Sequence, residues 1–138
     1  YDSQVESMGK VFVTTELGGG GSASPETIEI AKRGVDNFLI HTKILVGESK
    51  PSTLPVVLLS MPDETSFICC EHRGLVEPFV ELGDVVKEGD LLAKVHNIDR
   101  TATTPENYYA KRDGMVIIKH YPSIIDIGDN LMVIAKVE

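Results

Sequence analysis

A chain of 138 residues that is 42% hydrophobic and 25% charged has the composition of an ordinary globular protein, with room for one domain or two small ones. A net charge of −8 makes it a poor partner for nucleic-acid phosphates or anionic lipid, and no local cluster of Lys and Arg offsets that charge. No apolar run is long enough for a helical membrane span, and no stretch reads as a signal peptide.

The chain opens Tyr1-Asp2-Ser3-Gln4 rather than with Met, which fits a fragment, a processed product or a trimmed chain. Val5-Glu6-Ser7-Met8-Gly9 reads as a helix end closed by glycine. Lys10 to Thr15 is β-rich and predicts a short strand around Val11–Val13. That strand runs into Glu16, and Gly18-Gly19-Gly20-Gly21 follow. In an open α/β sheet, ligands bind beyond the carboxyl ends of the strands. A carboxylate there, beside backbone a ligand can approach closely, suits a general base. From local sequence alone, an ordinary solvated Glu is the plainer reading. The glycine run likewise reads as a flexible connection or as a phosphate cradle, but the Gly-Lys-Ser/Thr of a P-loop does not follow.

Ser24 is a good N-cap, Pro25 suits the first helical position and Glu26 complements the helix dipole. Ile28, Ala31, Val35, Phe38, Leu39 and Thr42 then recur at three- and four-residue spacing, predicting one buried helix face. Gly34 sits inside this helix, where close packing would account for it. Residues 1–46 therefore read as α/β. One strand between two helices is too little for a sheet, so its neighbours are expected elsewhere. Residues 47–54 read as a linker, carrying Gly47-Glu48-Ser49-Lys50-Pro51-Ser52-Thr53.

Residues 55–138 read as all-β. Pro55–Leu59 and Ser66–Cys70 are strand-like. The adjacent Cys69 and Cys70 would point to opposite faces of a strand, badly placed to bond to each other, and two reduced thiols fit a cytoplasmic protein. An internal repeat follows. Gly74-Leu75-Val76 leads to Gly89-Asp90 and an apolar strand, and Gly114-Met115-Val116 leads to Gly128-Asp129 and another. Asp84, Asp90 and Asp129 have the composition of calcium ligands but read as turn residues. Two such halves related by a pseudo-twofold would close a small sandwich.

This repeat resembles the barrel-sandwich hybrid fold of biotinyl and lipoyl carrier domains. The carrier lysine of those domains would fall near Asp99, in His96-Asn97-Ile98-Asp99-Arg100, where no lysine stands. Lys94 and Lys111 lie elsewhere, so the fold is expected without the carrier function.

The whole pattern is a strand ending Thr15-Glu16-Leu17-Gly18-Gly19, a helix, a linker and a lipoyl-like β domain. It resembles the succinylglutamate desuccinylase/aspartoacylase family of zinc-dependent deacylases, in particular the bacterial branch that includes N-acetyl-diaminobutyrate deacetylase. The resemblance implies an α+β chain, in which the C-terminal remnant of a carboxypeptidase-like α/β domain precedes an all-β barrel-sandwich domain. It implies Glu16 as the catalytic general base and Tyr108, of Asn107-Tyr108-Tyr109, as a substrate-binding tyrosine, although a Tyr pair before a strand is also ordinary packing. It implies a small N-acyl amino acid as substrate.

The resemblance also implies zinc in the parent protein, held by a His-x-x-Glu pair and a distant His. This chain has His41, His72, His96 and His120 and no such pair, so no metal is expected on it and the chain alone should be inactive. The dense Cys69-Cys70-Glu71-His72 cluster alternates across a strand and makes a poor metal site. Arg33, Arg73, Arg100 and Arg112 read as surface residues rather than substrate ligands. Exposed apolar surface on an incomplete α/β portion would invite association into a homo-oligomer. The alternative is a non-catalytic adaptor or assembly module of lipoyl-like fold.

Overall fold

Glycine punctuation and a change from helical to alternating periodicity divide the chain into two units, Tyr1–Leu54 and Pro55–Glu138. A computed structural model describes residues 2–52 and 55–138. The last two residues of the expected linker, Thr53 and Leu54, lie outside the described residues.

The first unit holds helix α1, Asp2–Ser7, and helix α2, Pro25–His41. Gly9, at φ 66°, closes α1 by donating its N–H to the Glu6 carbonyl at 2.8 Å. Ser24 caps α2. Its hydroxyl accepts the Thr27 N–H at 3.1 Å, and the Thr27 hydroxyl accepts the Ser24 N–H at 3.1 Å. Beyond the helix the chain folds back, and the Asn37 side chain grips Lys50 by both its N–H, at 2.8 Å, and its carbonyl, at 2.9 Å.

Two expectations for this unit fail. Residues 10–17 form no strand. A strand is held by a ladder to a neighbour, and the described part of the unit offers none. The apolar face of α2 is also not buried: Ala31, Phe38 and Leu39 are half-buried, but Ile28 and Val35 are 48% and 59% exposed. Periodicity correctly located the face; burial needs a partner surface as well.

The second unit is all antiparallel β. Its strands are β1 (Leu59–Ser60), β2 (Phe67–Cys69), β3 (Gly74–Pro78), β4 (Val85–Val86), β5 (Leu91–His96), β6 (Glu106–Tyr109), β7 (Gly114–Lys119), β8 (Ile124–Ile125) and β9 (Asn130–Val137). Of the strand expected over Pro55–Leu59, only Leu59 joins one, pairing with Val137. One sheet runs β1-β9-β7-β4, with β2 also on β9, and the other runs β6-β5-β3-β8.

The repeat explains this order. Within each half the long strands pair, β3 with β5 and β7 with β9. The short middle strand of each half crosses to the other half's sheet: β4 pairs with β7, and β8 with β3. The registers correspond, Val86 opposite Gly114 and Ile125 opposite Gly74. Ile68, Leu92, Val116, Ile125, Leu131 and Ile134, each at most 1% exposed, fill the space between the interlocked halves. Cys69, the last residue of β2, is exposed, and Cys70, just beyond it, is buried, so the two face opposite ways as expected, and both are free. No helix among the described residues is long and apolar enough to cross a membrane.

Candidate functional site

Glu16 lies in the irregular segment before the glycines, with an exposed side chain and no hydrogen bond or ion pair to any described residue. Gly18, Gly20 and Gly21 have φ of 75°, 63° and 66°, a conformation L side chains rarely adopt. A Cβ added at Gly19 or Gly21 would meet nothing within 4 Å. Backbone conformation, rather than close approach within the chain, is what Gly21 is needed for. The segment thus delivers an unengaged carboxylate just ahead of the capped start of α2.

Tyr108 lies in the other unit, on β6 opposite the fully buried Ala93. Alternation turns its ring inward, while its neighbour Tyr109 is 48% exposed. The Tyr108 hydroxyl is surrounded by the turn that follows β2. It accepts the Glu71 backbone N–H at 2.9 Å and lies 2.8 Å from His72 Nδ1 and 3.3 Å from Cys70 Sγ. The Cys70 thiol in turn donates to the His72 carbonyl at 2.9 Å. The two rings meet edge-on, 6.2 Å between centroids. Burial, reinforced by the bond with Cys70, pushes the Tyr108 phenol up to about 12, so it stays neutral at physiological pH. It can donate one hydrogen bond and cannot serve as a base there.

Tyr108 and His72 line a cleft of about 410 Å³, together with Cys69, Glu71, Glu106 and Lys111. Sequence reasoning named Tyr108 and the Cys69–His72 run separately but did not join them. Alternation already marked Tyr108 as the inward member of its pair. What it could not supply was the register that brings β6 beside the turn after β2.

The remaining histidines are scattered. His41 ends α2, His96 pairs with Glu77 at 2.7 Å and His120 lies 3.1 Å from the Ile124 carbonyl. Among the described residues no three His, Cys, Asp or Glu side chains gather as a metal site would require. Of the arginines, Arg73 spans Asp126 at 2.9 Å and Asp99 at 3.4 Å, and Arg112 reaches Ser66 at 3.3 Å. Asp99 thus makes an exposed ion pair with Arg73.

No family model matches the chain. It is 42% identical over 137 residues to the N-alpha-acetyl-L-2,4-diaminobutyric acid deacetylase of Halomonas elongata, covering 99% of this chain and 40% of that protein. It is similar to the product-bound structure of the ectoine utilization protein EutE (DoeB) from Ruegeria pomeroyi, with TM-score 0.92 and 48% identity, over 99% of this chain and 41% of that one. A succinylglutamate desuccinylase from a Silicibacter species matches with TM-score 0.90 and 48% identity, over all of this chain and 41% of its own. The chain therefore spans about two fifths of the length of each of these proteins.

Proposed function

We propose that the chain belongs to the succinylglutamate desuccinylase/aspartoacylase family and is the C-terminal part of a hydrolase that removes the acyl group from an N-acyl amino acid. The observation that carries this reading is the 42% identity to a deacetylase, sustained over 137 residues. The adaptor alternative draws no support from these relatives. Cytoplasmic residence suits two free cysteines.

Glu16 is the general base in this reading. Water adds to the acyl carbonyl carbon, Glu16 takes the proton that water loses, and the C–N bond breaks as that proton passes to the leaving amine. Glu16 engages no described residue, which leaves its carboxylate available. Tyr108, kept neutral, donates a hydrogen bond to an oxygen of the bound substrate. Zinc would polarise the carbonyl and activate the water. The residues of this chain do not fit that ion, since no three ligands converge among those described, so its ligands would lie elsewhere in the parent protein. We read the second unit as a barrel-sandwich of the lipoyl and biotinyl kind, supported by the exchange of β4 and β8 between sheets, with no lysine in the 96–100 loop to carry a cofactor. Exposed residues on α2 supply the apolar surface for association with the rest of the protein or a second copy.

The test uses the full-length enzyme with N-acetyl-diaminobutyric acid, N-acetylaspartate and succinylglutamate. Hydrolysis of one of them, with kcat lowered on the order of 10²–10⁴-fold in Glu16→Gln and KM little changed, is the expected result. An enzyme that hydrolyses none of them, or a fully active Glu16→Gln, would overturn it.

A further inference from the structure

The Tyr108 hydroxyl has one proton and too many neighbours. Its oxygen already accepts the Glu71 N–H at 2.9 Å, and His72 Nδ1, at 2.8 Å, is its best-placed other partner. The geometry points to His72 as a positioning residue that decides where the Tyr108 proton is aimed, and so whether the cleft offers a hydrogen-bond donor to an anionic group of the substrate. The inference rests on the reading of Tyr108 as a substrate contact.

With His72 neutral and Nδ1 unprotonated, that nitrogen is an acceptor and holds the phenolic proton. With His72 protonated, Nδ1 must donate. The Tyr108 oxygen then accepts from Glu71 and His72 together, and its own O–H is free to turn away. Among the described residues the nearest other group is Cys70, whose thiol is placed to donate to the Tyr108 oxygen at 3.3 Å or to the His72 carbonyl at 2.9 Å and whose sulfur is only a weak acceptor. A carboxylate or carbonyl oxygen in the cleft competes with sulfur easily. No bond is made or broken; one proton changes which atom it faces.

The charged groups lining the cleft with His72 are Glu71, Glu106 and Lys111, with Cys69, Cys70, Tyr108 and Tyr109 as the other titratable neighbours. Arg73, next along the chain, is held by Asp126 and Asp99. Among the described residues Lys111 faces two carboxylates across the cleft, so a neutral donor such as the Tyr108 hydroxyl adds to what the lysine offers an anion there.

The experiment measures kcat and KM against pH in the full-length enzyme with N-acetyl-diaminobutyric acid, for wild type, His72→Gln and Tyr108→Phe. Alongside, ¹⁵N spectra of the imidazole and ¹³Cζ spectra of Tyr108 are recorded over the same range without substrate. The wild-type KM should rise about tenfold as the ¹⁵N spectra show the His72 ring losing its proton, the worth of one hydrogen bond to a charged group, with kcat unmoved. His72→Gln should flatten that rise, and Tyr108→Phe should keep KM at the high-pH value throughout. The Tyr108 ¹³Cζ shift should follow protonation of His72 Nδ1. A pH-dependent KM that persists in His72→Gln, or a ¹³Cζ shift indifferent to His72, overturns the inference and leaves Tyr108 as a substrate contact. A Tyr108→Phe enzyme with wild-type KM removes the substrate contact and the inference with it. Because the spectra need no turnover, the dyad is tested even if none of these amides is hydrolysed.

Discussion

Gly74 and Gly114 occupy equivalent places in the two halves and meet the same obstacle. A Cβ at Gly74 would stand 2.2 Å from the His96 carbonyl oxygen, and one at Gly114 would stand 2.3 Å from that of Ala135. His96 and Ala135 are the corresponding residues of β5 and β9, opposite Leu75 and Met115. Each glycine therefore lets a neighbouring backbone pass where the crossing strand, β8 or β4, joins the sheet. Gly74→Ala and Gly114→Ala should each destabilise the β unit by at least about 1–3 kcal/mol, the usual cost of overpacking, because backbone cannot step aside as a side chain can. Urea unfolding followed by the β signal reads this. A midpoint unchanged in both variants would mean that the strands part without cost.

Gly34 invites the opposite change. A Cβ there meets nothing within 4 Å. Glycine within a helix costs about 1 kcal/mol relative to alanine, so Gly34→Ala should raise helix stability in this chain by about 0.4–1 kcal/mol. Ser24→Ala should lower it by about 0.5–2 kcal/mol by leaving the Thr27 N–H without its acceptor. Amide exchange over the first turn of α2 separates the two, slowing in the first variant and quickening in the second.

Local chemistry was legible in the sequence and distant pairing was not. Ser24, Pro25 and the closing Gly9 announced both helix boundaries because caps and breakers act within a few residues. The repeat announced equivalent strands, but not that β4 and β8 change sheets, which depends on registers between residues some 30 to 50 positions apart. Val11–Val13 has strand composition and no strand, since composition provides half a ladder and the other half is absent from the described residues. Likewise Tyr108 and His72 looked unrelated at a separation of 36 residues until β6 and the turn after β2 brought them within 2.8 Å.

The three Gly-Asp turns share one construction. Gly83, Gly89 and Gly128 have φ of 92°, 89° and 92°. The Asp84, Asp90 and Asp129 carboxylates accept the N–H of Glu81, Lys87 and Asp126 at 2.8, 2.8 and 3.1 Å. These carboxylates are engaged with their own turns. Asp90→Ala should cost about 0.5–1.5 kcal/mol, the worth of one such bond, and Gly89→Ala should cost more than it gains in chain entropy, since alanine is strained at positive φ. Adding millimolar calcium should leave the thermal midpoint unmoved. A calcium-dependent rise that Asp90→Ala abolishes would show these residues to be ligands.

Acid and alkali should act on this fold through different groups. The Ser60 hydroxyl, which bonds the Glu138 carboxylate, holds that group below the usual range with help from Lys136, and Thr65 does the same for Asp63. A depressed folded value means stability that is present above the unfolded value and is lost as pH falls through the folded one. Ser60→Ala and Thr65→Ala should therefore each make the decline towards acid shallower.

Tyr108 runs the other way. Its phenol rises from an ordinary 10.0 to about 12 in the folded state, chiefly by burial. The unfolded chain loses that proton first, so the contribution is complete below about 10 and disappears as pH rises from 10 to about 12. Urea midpoints taken from pH 9 to 12 should fall in wild type, and Tyr108→Phe, with no phenol to titrate, should hold a flatter line over that window. Parallel lines for the two proteins would place the alkaline sensitivity on another group and the Tyr108 phenol in a wetter setting than its contacts imply.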